Sequence, residues 1–143
     1  MSPFNRETNV LIGVEDDGLR ELISDALNEL GFPSNFNIHK VGGSLAGFIE
    51  LQGGESREKF PAHLLIYDQD MYAYCKQQVV NIVQETVSGR VALLVICDSN
   101  FRQRSPGHGY DSSRMLIKFI SAPPLELRTT FKEAVMRCLE FIG

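Results

Sequence analysis

Val91-Ala92-Leu93-Leu94-Val95-Ile96-Cys97 is an unbroken apolar run, and its reading decides the fold. A strand with one wet face alternates apolar and polar side chains, whereas a continuous aliphatic run of this length marks a strand buried on both faces. Gly89-Arg90 before it and Asp98-Ser99-Asn100 after it hold it to strand length. Both faces of a strand are covered when helices pack on each side of a parallel sheet, so the run predicts an α/β domain.

The rest of the chain alternates in the same way. Residues 9–14 form a mostly apolar strand signal followed by Glu15-Asp16-Asp17-Gly18. Leu19, Leu22, Ile23, Ala26, Leu27 and Leu30 then share one helical face, with Gly31 placed to stop the helix. A strand is expected near residues 37–41 and a short helix over 44–52, ending at Gly53-Gly54. Residues 63–67 read as a third strand and 72–87 as a helix buried through Val79, Val80, Ile82, Val83 and Val87. Residues 115–120 read as a fifth strand. Leu127, Phe131, Val135, Cys138, Leu139 and Ile142 line a last amphipathic helix. Strand–helix alternation of this kind builds right-handed crossovers, and five strands suit the flavodoxin-like, doubly wound order 2-1-3-4-5. One domain is expected over residues 1–143, with its core from about 9 to 142.

Two segments depart from the rhythm. Residues 53–62 are polar and lengthen the second crossover. Residues 100–114 stand where a fourth helix belongs, yet Pro106, Gly107 and Gly109 interrupt them and only Phe101 and Tyr110 are large apolar anchors. The fourth helix is therefore expected to be degenerate or absent. Apolar surface near strands 4 and 5 then needs another cover, which suggests a homodimer or a protein partner on the face made by strand 4, strand 5 and the last helix.

Composition narrows the function. Hydrophobic residues make up 43% and charged residues 22% of 143, enough for a core without staples. A net charge of −4 provides no footprint for nucleic acid or an anionic membrane, and no apolar run approaches a bilayer span. Cys75, Cys97 and Cys138 are widely spaced, as expected of free thiols in a reducing, cytoplasmic setting. His39, His63 and His108 lack metal-ligand spacing.

Acidic residues close two strands: Glu15 and Asp16 follow the first, and Asp68 follows the third. In a parallel α/β sheet, ligands bind beyond the carboxyl ends of the strands at the switch point. Carboxylates gathered there suit Mg²⁺, which takes oxygen ligands and accompanies phosphate. The same acids have a second reading, as caps that satisfy the first amides of a helix.

Leu64-Leu65-Ile66-Tyr67-Asp68-Gln69-Asp70-Met71, the acidic pair, and Leu116-Ile117-Lys118 with the Pro123-Pro124 that follows resemble, in order, the receiver domain of bacterial response regulators. The resemblance spans residues 10–142. It implies a two-component or phosphorelay role in which Asp68 accepts a phosphoryl group from a histidine kinase or phosphotransfer protein. Mg²⁺ would be held by Glu15, Asp16, Asp68 and the backbone carbonyl of Asp70, and Lys118 would neutralise a phosphoryl oxygen. The output would pass to a downstream protein partner, with at most autocatalytic phosphotransfer and dephosphorylation at Asp68.

Several positions depart from that pattern. Cys97 stands where the family has Thr or Ser, and a thiol is a weak donor. Met115 takes the place of the aromatic three residues before the lysine, and Phe119 that of the proline after it. Tyr72 and Lys76 replace a proline and a glycine after strand 3. A register shifted along strand 5 would instead put Ala122-Pro123 at the Lys-Pro position and leave no lysine. The departures point to an alternative, a phosphorylation-independent pseudo-receiver acting as an interaction domain. A third reading is a small phosphatase using Asp68-Gln69-Asp70 as a D-x-D nucleophile motif.

Overall fold

A computed structural model describes residues 8–30, 36–40, 63–74, 90–98, 112–121 and 124–142. Its strands are β1 (Thr8–Gly13), β2 (Phe36–Lys40), β3 (Leu64–Asp68), β4 (Val91–Ile96) and β5 (Met115–Ile120). Its two long helices are α1 (Asp17–Leu30) and α2 (Pro124–Ile142). Residues 69–74 are helical as well. The expected helix at 44–52, the loop at 53–62, the rest of the 72–87 helix and nearly all of 100–114 lie outside the described residues.

All strand pairs are parallel and the order is β2-β1-β3-β4-β5, the doubly wound arrangement expected from the strand signals. Alternation along each strand sorts the core. Val10, Ile12, Leu64, Ile66, Ala92, Leu94, Ile96 and Ile120 face α1 and α2, where Ile23, Ala26, Leu27, Phe131, Val135, Cys138 and Leu139 meet them. The residues between them, Leu11, Leu65, Tyr67, Leu93, Val95 and Met115, are equally buried on the opposite face. The apolar run of β4 is thus a strand covered on both sides. Each such side chain removed from water stabilises the fold by about 1.5–3 kcal/mol before entropy is counted.

Local chemistry fixes the element ends. Asp16 starts α1: its Oδ1 accepts the Leu19 N–H at 2.7 Å, and its carbonyl accepts the Arg20 N–H at 2.9 Å. Gly18 lets that carboxylate curl inward, since a Cβ there would lie 3.3 Å from Asp16 Oδ1. Near the other end of α1, Glu29 pairs with Arg128 and Lys132, joining α1 to α2 on their outer surface. The helix after β3 begins at residue 69, three residues before the expected Tyr72. The cause is Asp68, whose Oδ1 accepts the Met71 N–H at 2.8 Å as a helix N-cap does.

Candidate functional site at the carboxyl ends of the strands

The sheet order brings the end of β3 beside the end of β1, and the two are tied together there. Asp68 Oδ2 accepts the backbone N–H of Glu15 at 3.1 Å, while its Oδ1 is held by Met71. Both carboxylate oxygens are therefore engaged with main chain. Gly13 makes the approach possible: a Cβ there would lie 3.3 Å from Tyr67 Cδ1 and 3.4 Å from Met71.

The expected neighbourhood of Asp68 and the loop after β1 is present, but the carboxylates are not gathered around a common point. Asp16 turns its Oδ1 to its own helix, and both Glu15 and Asp16 are exposed. Asp70 is exposed in the first helical turn. Among the described residues no group of three His, Cys, Asp or Glu side chains is placed to hold a metal ion. Of the expected Mg²⁺ set, Asp16 and Asp68 each accept main-chain N–H bonds in this arrangement, and Glu15 and Asp70 are exposed.

Strand register places Lys118 relative to Asp68. Asp68 stands opposite Ile96, and Ile96 opposite Ile120. Lys118 stands opposite Leu94, one same-face position short of that row. It alternates with Leu116 and Ile120 toward α2, where its charge acts on the buried Cys138 thiol. Burial pushes that thiol up to about 12, and Lys118 offsets only part of the shift. The two side chains in the row of Asp68 are isoleucines, which neutralise nothing.

Residues 122 and 123, which the shifted register would put at the family's Lys-Pro position, lie outside the described residues. That register would leave no lysine there and would put Phe119 three residues earlier, where the family carries an aromatic. Phe119 packs edge-on against Tyr72, with ring centroids 5.2 Å apart at 87°.

Cys97 follows directly after β4, as expected, but its Sγ is turned to the Ile120 carbonyl at 3.4 Å. Burial, and after it the charge of Asp98, raises its pKa, so the thiol stays protonated at neutral pH. This is a structural thiol rather than a hydroxyl-like donor aimed at Asp68.

Three residues at this end of the sheet were not singled out from the sequence. Gln69 and Asp98 join the exits of β3 and β4 through a reciprocal pair of hydrogen bonds. Arg20 folds back over the β1 exit: its Nη1 donates to the carbonyls of Val14 at 3.0 Å and Glu15 at 3.4 Å, and the guanidinium pairs with Asp17. Only the spacing of Asp17 and Arg20 left a trace in sequence, as an i,i+3 pair on one helix face. A pair 29 residues apart, such as Gln69 and Asp98, leaves none.

No family model matches the chain, and no curated protein matches it in sequence. Solved structures do match in fold. A response regulator receiver domain protein from Bacillus halodurans C-125 is similar at 17% identity and a TM-score of 0.55, over 90% of this chain and 97% of that one. The CpaE2 pilus assembly protein of Sinorhizobium meliloti 1021 is similar at 19% identity and a TM-score of 0.51, over 92% of this chain and 99% of that one. The lysine decarboxylase LdcF of Francisella novicida gives a TM-score of 0.58 at 10% identity over 94% of this chain, but the match spans only 18% of that enzyme. The chain has the receiver fold. Among the described residues no helix is long and apolar enough to cross a membrane.

Proposed function

We propose that this chain is a receiver-fold interaction domain that works without phosphorylation, with Asp68 serving the architecture of the site. The observation that carries this reading is the register of β3, β4 and β5. It sets Asp68 in one row with Ile96 and Ile120 and leaves Lys118 on the row below, beside Cys138. Phosphoryl transfer asks little of a protein beyond positioning and charge neutralisation. Here no cation faces Asp68 from β5, the thiol of Cys97 is turned to a carbonyl, and the metal acids are spread over capping bonds. A fold in which the usual switch parts are tied to main chain suits a constant docking surface better than one that changes with a phosphoryl group. On this reading the chain is not an enzyme and needs neither Mg²⁺ nor a kinase, and its partner is another protein.

One observation favours the phosphoacceptor reading. Asp68 is half-buried at the carboxyl end of a central strand, beside the loop after β1, where a donor could reach it. The D-x-D phosphatase reading has no such support, because Asp70 faces solvent from the first turn of a helix.

The two readings separate on incubation with acetyl phosphate and Mg²⁺, with intact mass as the readout and Asp68→Asn as control. We expect no phosphoryl adduct on the wild-type chain. A stoichiometric adduct that Asp68→Asn abolishes overturns the proposal.

A further inference from the structure

Helix α2 is well charged at its start and poorly charged at its end. Glu126 stands in the first turn, where a negative charge suits the dipole. The last turn has no basic residue of its own, and the exposed Glu140 sits at the negative end. The final carbonyls of a helix lack intrahelical partners, so this end is the one inclined to fray. Yet the core needs it, since Cys138, Leu139 and Ile142 are all buried there.

The missing cation comes from 51 residues away. Arg90, exposed just ahead of β4, donates from Nη1 to the Phe141 carbonyl at 3.2 Å. Its guanidinium also lies over the Phe141 ring, 5.4 Å from the centroid, within the range of a cation–π contact. One side chain thus grips both the main chain and the ring of a residue that stands between buried Leu139 and Ile142. The ion pairs of Glu29 with Arg128 and Lys132 act only on the first half of α2.

We propose that Arg90 and Phe141 form a strap that closes the last turn of α2 over the Cys138 thiol, and that this turn opens locally when the strap is released. The device sets solvent access to the apolar underside of the turn while the sheet stays folded. Cys138 reports the opening, because burial pushes its pKa up to about 12 and the closed thiol is both covered and protonated. The strap lies at the amino ends of the strands, whereas Asp68 lies at their carboxyl ends. It therefore operates whether or not Asp68 takes a phosphoryl group.

The test is the rate at which N-ethylmaleimide labels Cys138 in the purified chain at neutral pH, read by peptide mass, with Cys97 as internal reference. Arg90→Ala should label Cys138 about five to ten times faster than the wild type, through loss of one exposed bond and one cation–π contact. Labelling of Cys97 should keep its wild-type rate. Phe141→Leu retains the carbonyl bond but removes the ring. It should add less to labelling in the Arg90→Ala chain than it does alone. Amide exchange over residues 139–142 should accelerate in Arg90→Ala, with the first half of α2 unchanged.

Unchanged labelling and exchange in Arg90→Ala overturn the inference. An equal rise at Cys97 also overturns it, since that would mean global unfolding rather than a local opening. Independent action of the two substitutions does so as well, because ring and guanidinium would then not work together.

Discussion

Gln69 and Asp98 hydrogen-bond each other twice and in opposite senses: the Gln69 Nε2 donates to Asp98 Oδ2 at 3.1 Å, and the Asp98 N–H donates to Gln69 Oε1 at 2.9 Å. The pair spans the exits of β3 and β4, so the main chain leaving β4 is fixed to the start of the helix after β3. Gln69→Leu should remove both bonds and leave the Asp98 amide to water. At the usual net contribution of about 1 kcal/mol per bond, discounted for exposure, the loss should be about 1 kcal/mol in urea unfolding. The sharper reading is local. Amide exchange at Asp98 should accelerate by more than the global loss explains, and uniform acceleration across β4 would show that the pair is no local latch.

Asp68 is expected to behave as a structural acceptor. Asp68→Ala strips a helix cap and a bond to the β1 exit together, for a loss of about 1–3 kcal/mol. Asp68→Asn retains one acceptor oxygen and should fall between that variant and the wild type. Urea titrations of the three chains give the order directly. Three equal midpoints would mean that the carboxylate is not committed to main chain.

Gly13 sets how closely β1 approaches Tyr67 and Met71. Gly13→Ala brings a methyl to 3.3 Å from the Tyr67 ring, but Met71 is flexible and a strand alanine recovers about 0.5–1 kcal/mol of backbone entropy. The two effects should nearly cancel. Gly13→Val adds volume that the rigid Tyr67 ring cannot yield to, and a loss of about 1–3 kcal/mol is expected. Thermal melts of both variants test the contrast, which disappears if the site has slack.

Acid should weaken the link between the helices. Glu29 is held below the ordinary 4.5, first by its hydrogen bond to Lys132 and then by Arg128. A carboxyl whose pKa is lowered on folding contributes stability that is complete above its unfolded value and is lost as pH falls through the folded one. Glu29→Gln should therefore melt slightly below the wild type at neutral pH, by little because the group is exposed, and the difference should vanish well below pH 4.5. A difference that grows on acidification contradicts the assignment.

The fold was legible because burial on two faces leaves a run like that of residues 91–97, and helices leave a 3.6-residue period. The site was legible only in part. Asp68 and the acids after β1 announce themselves by following strands. The roles of those acids depend on tertiary partners, and in the structure Asp16 caps α1 and Asp68 caps the next helix. The row of Lys118 was not legible, because register across a parallel sheet is set by pairing partners distant in sequence. Arg20 escaped notice because its bonds to the Val14 and Glu15 carbonyls leave no pattern in the sequence.

The strand order has a consequence for the chain as it emerges from the ribosome. β1 precedes the other four strands in the sequence but lies inside the sheet, between β2 and β3, so its second edge stays unpaired until residue 68 has been synthesised. Residues 10–12, Val-Leu-Ile, are buried in the finished fold and must wait as open apolar edge through the first two crossovers. β5 is added last, on the rim, and needs only β4. The stretch is thus most prone to mispairing before residue 68 has been made, and a chaperone that shields residues 8–14 would have the longest time in which to act.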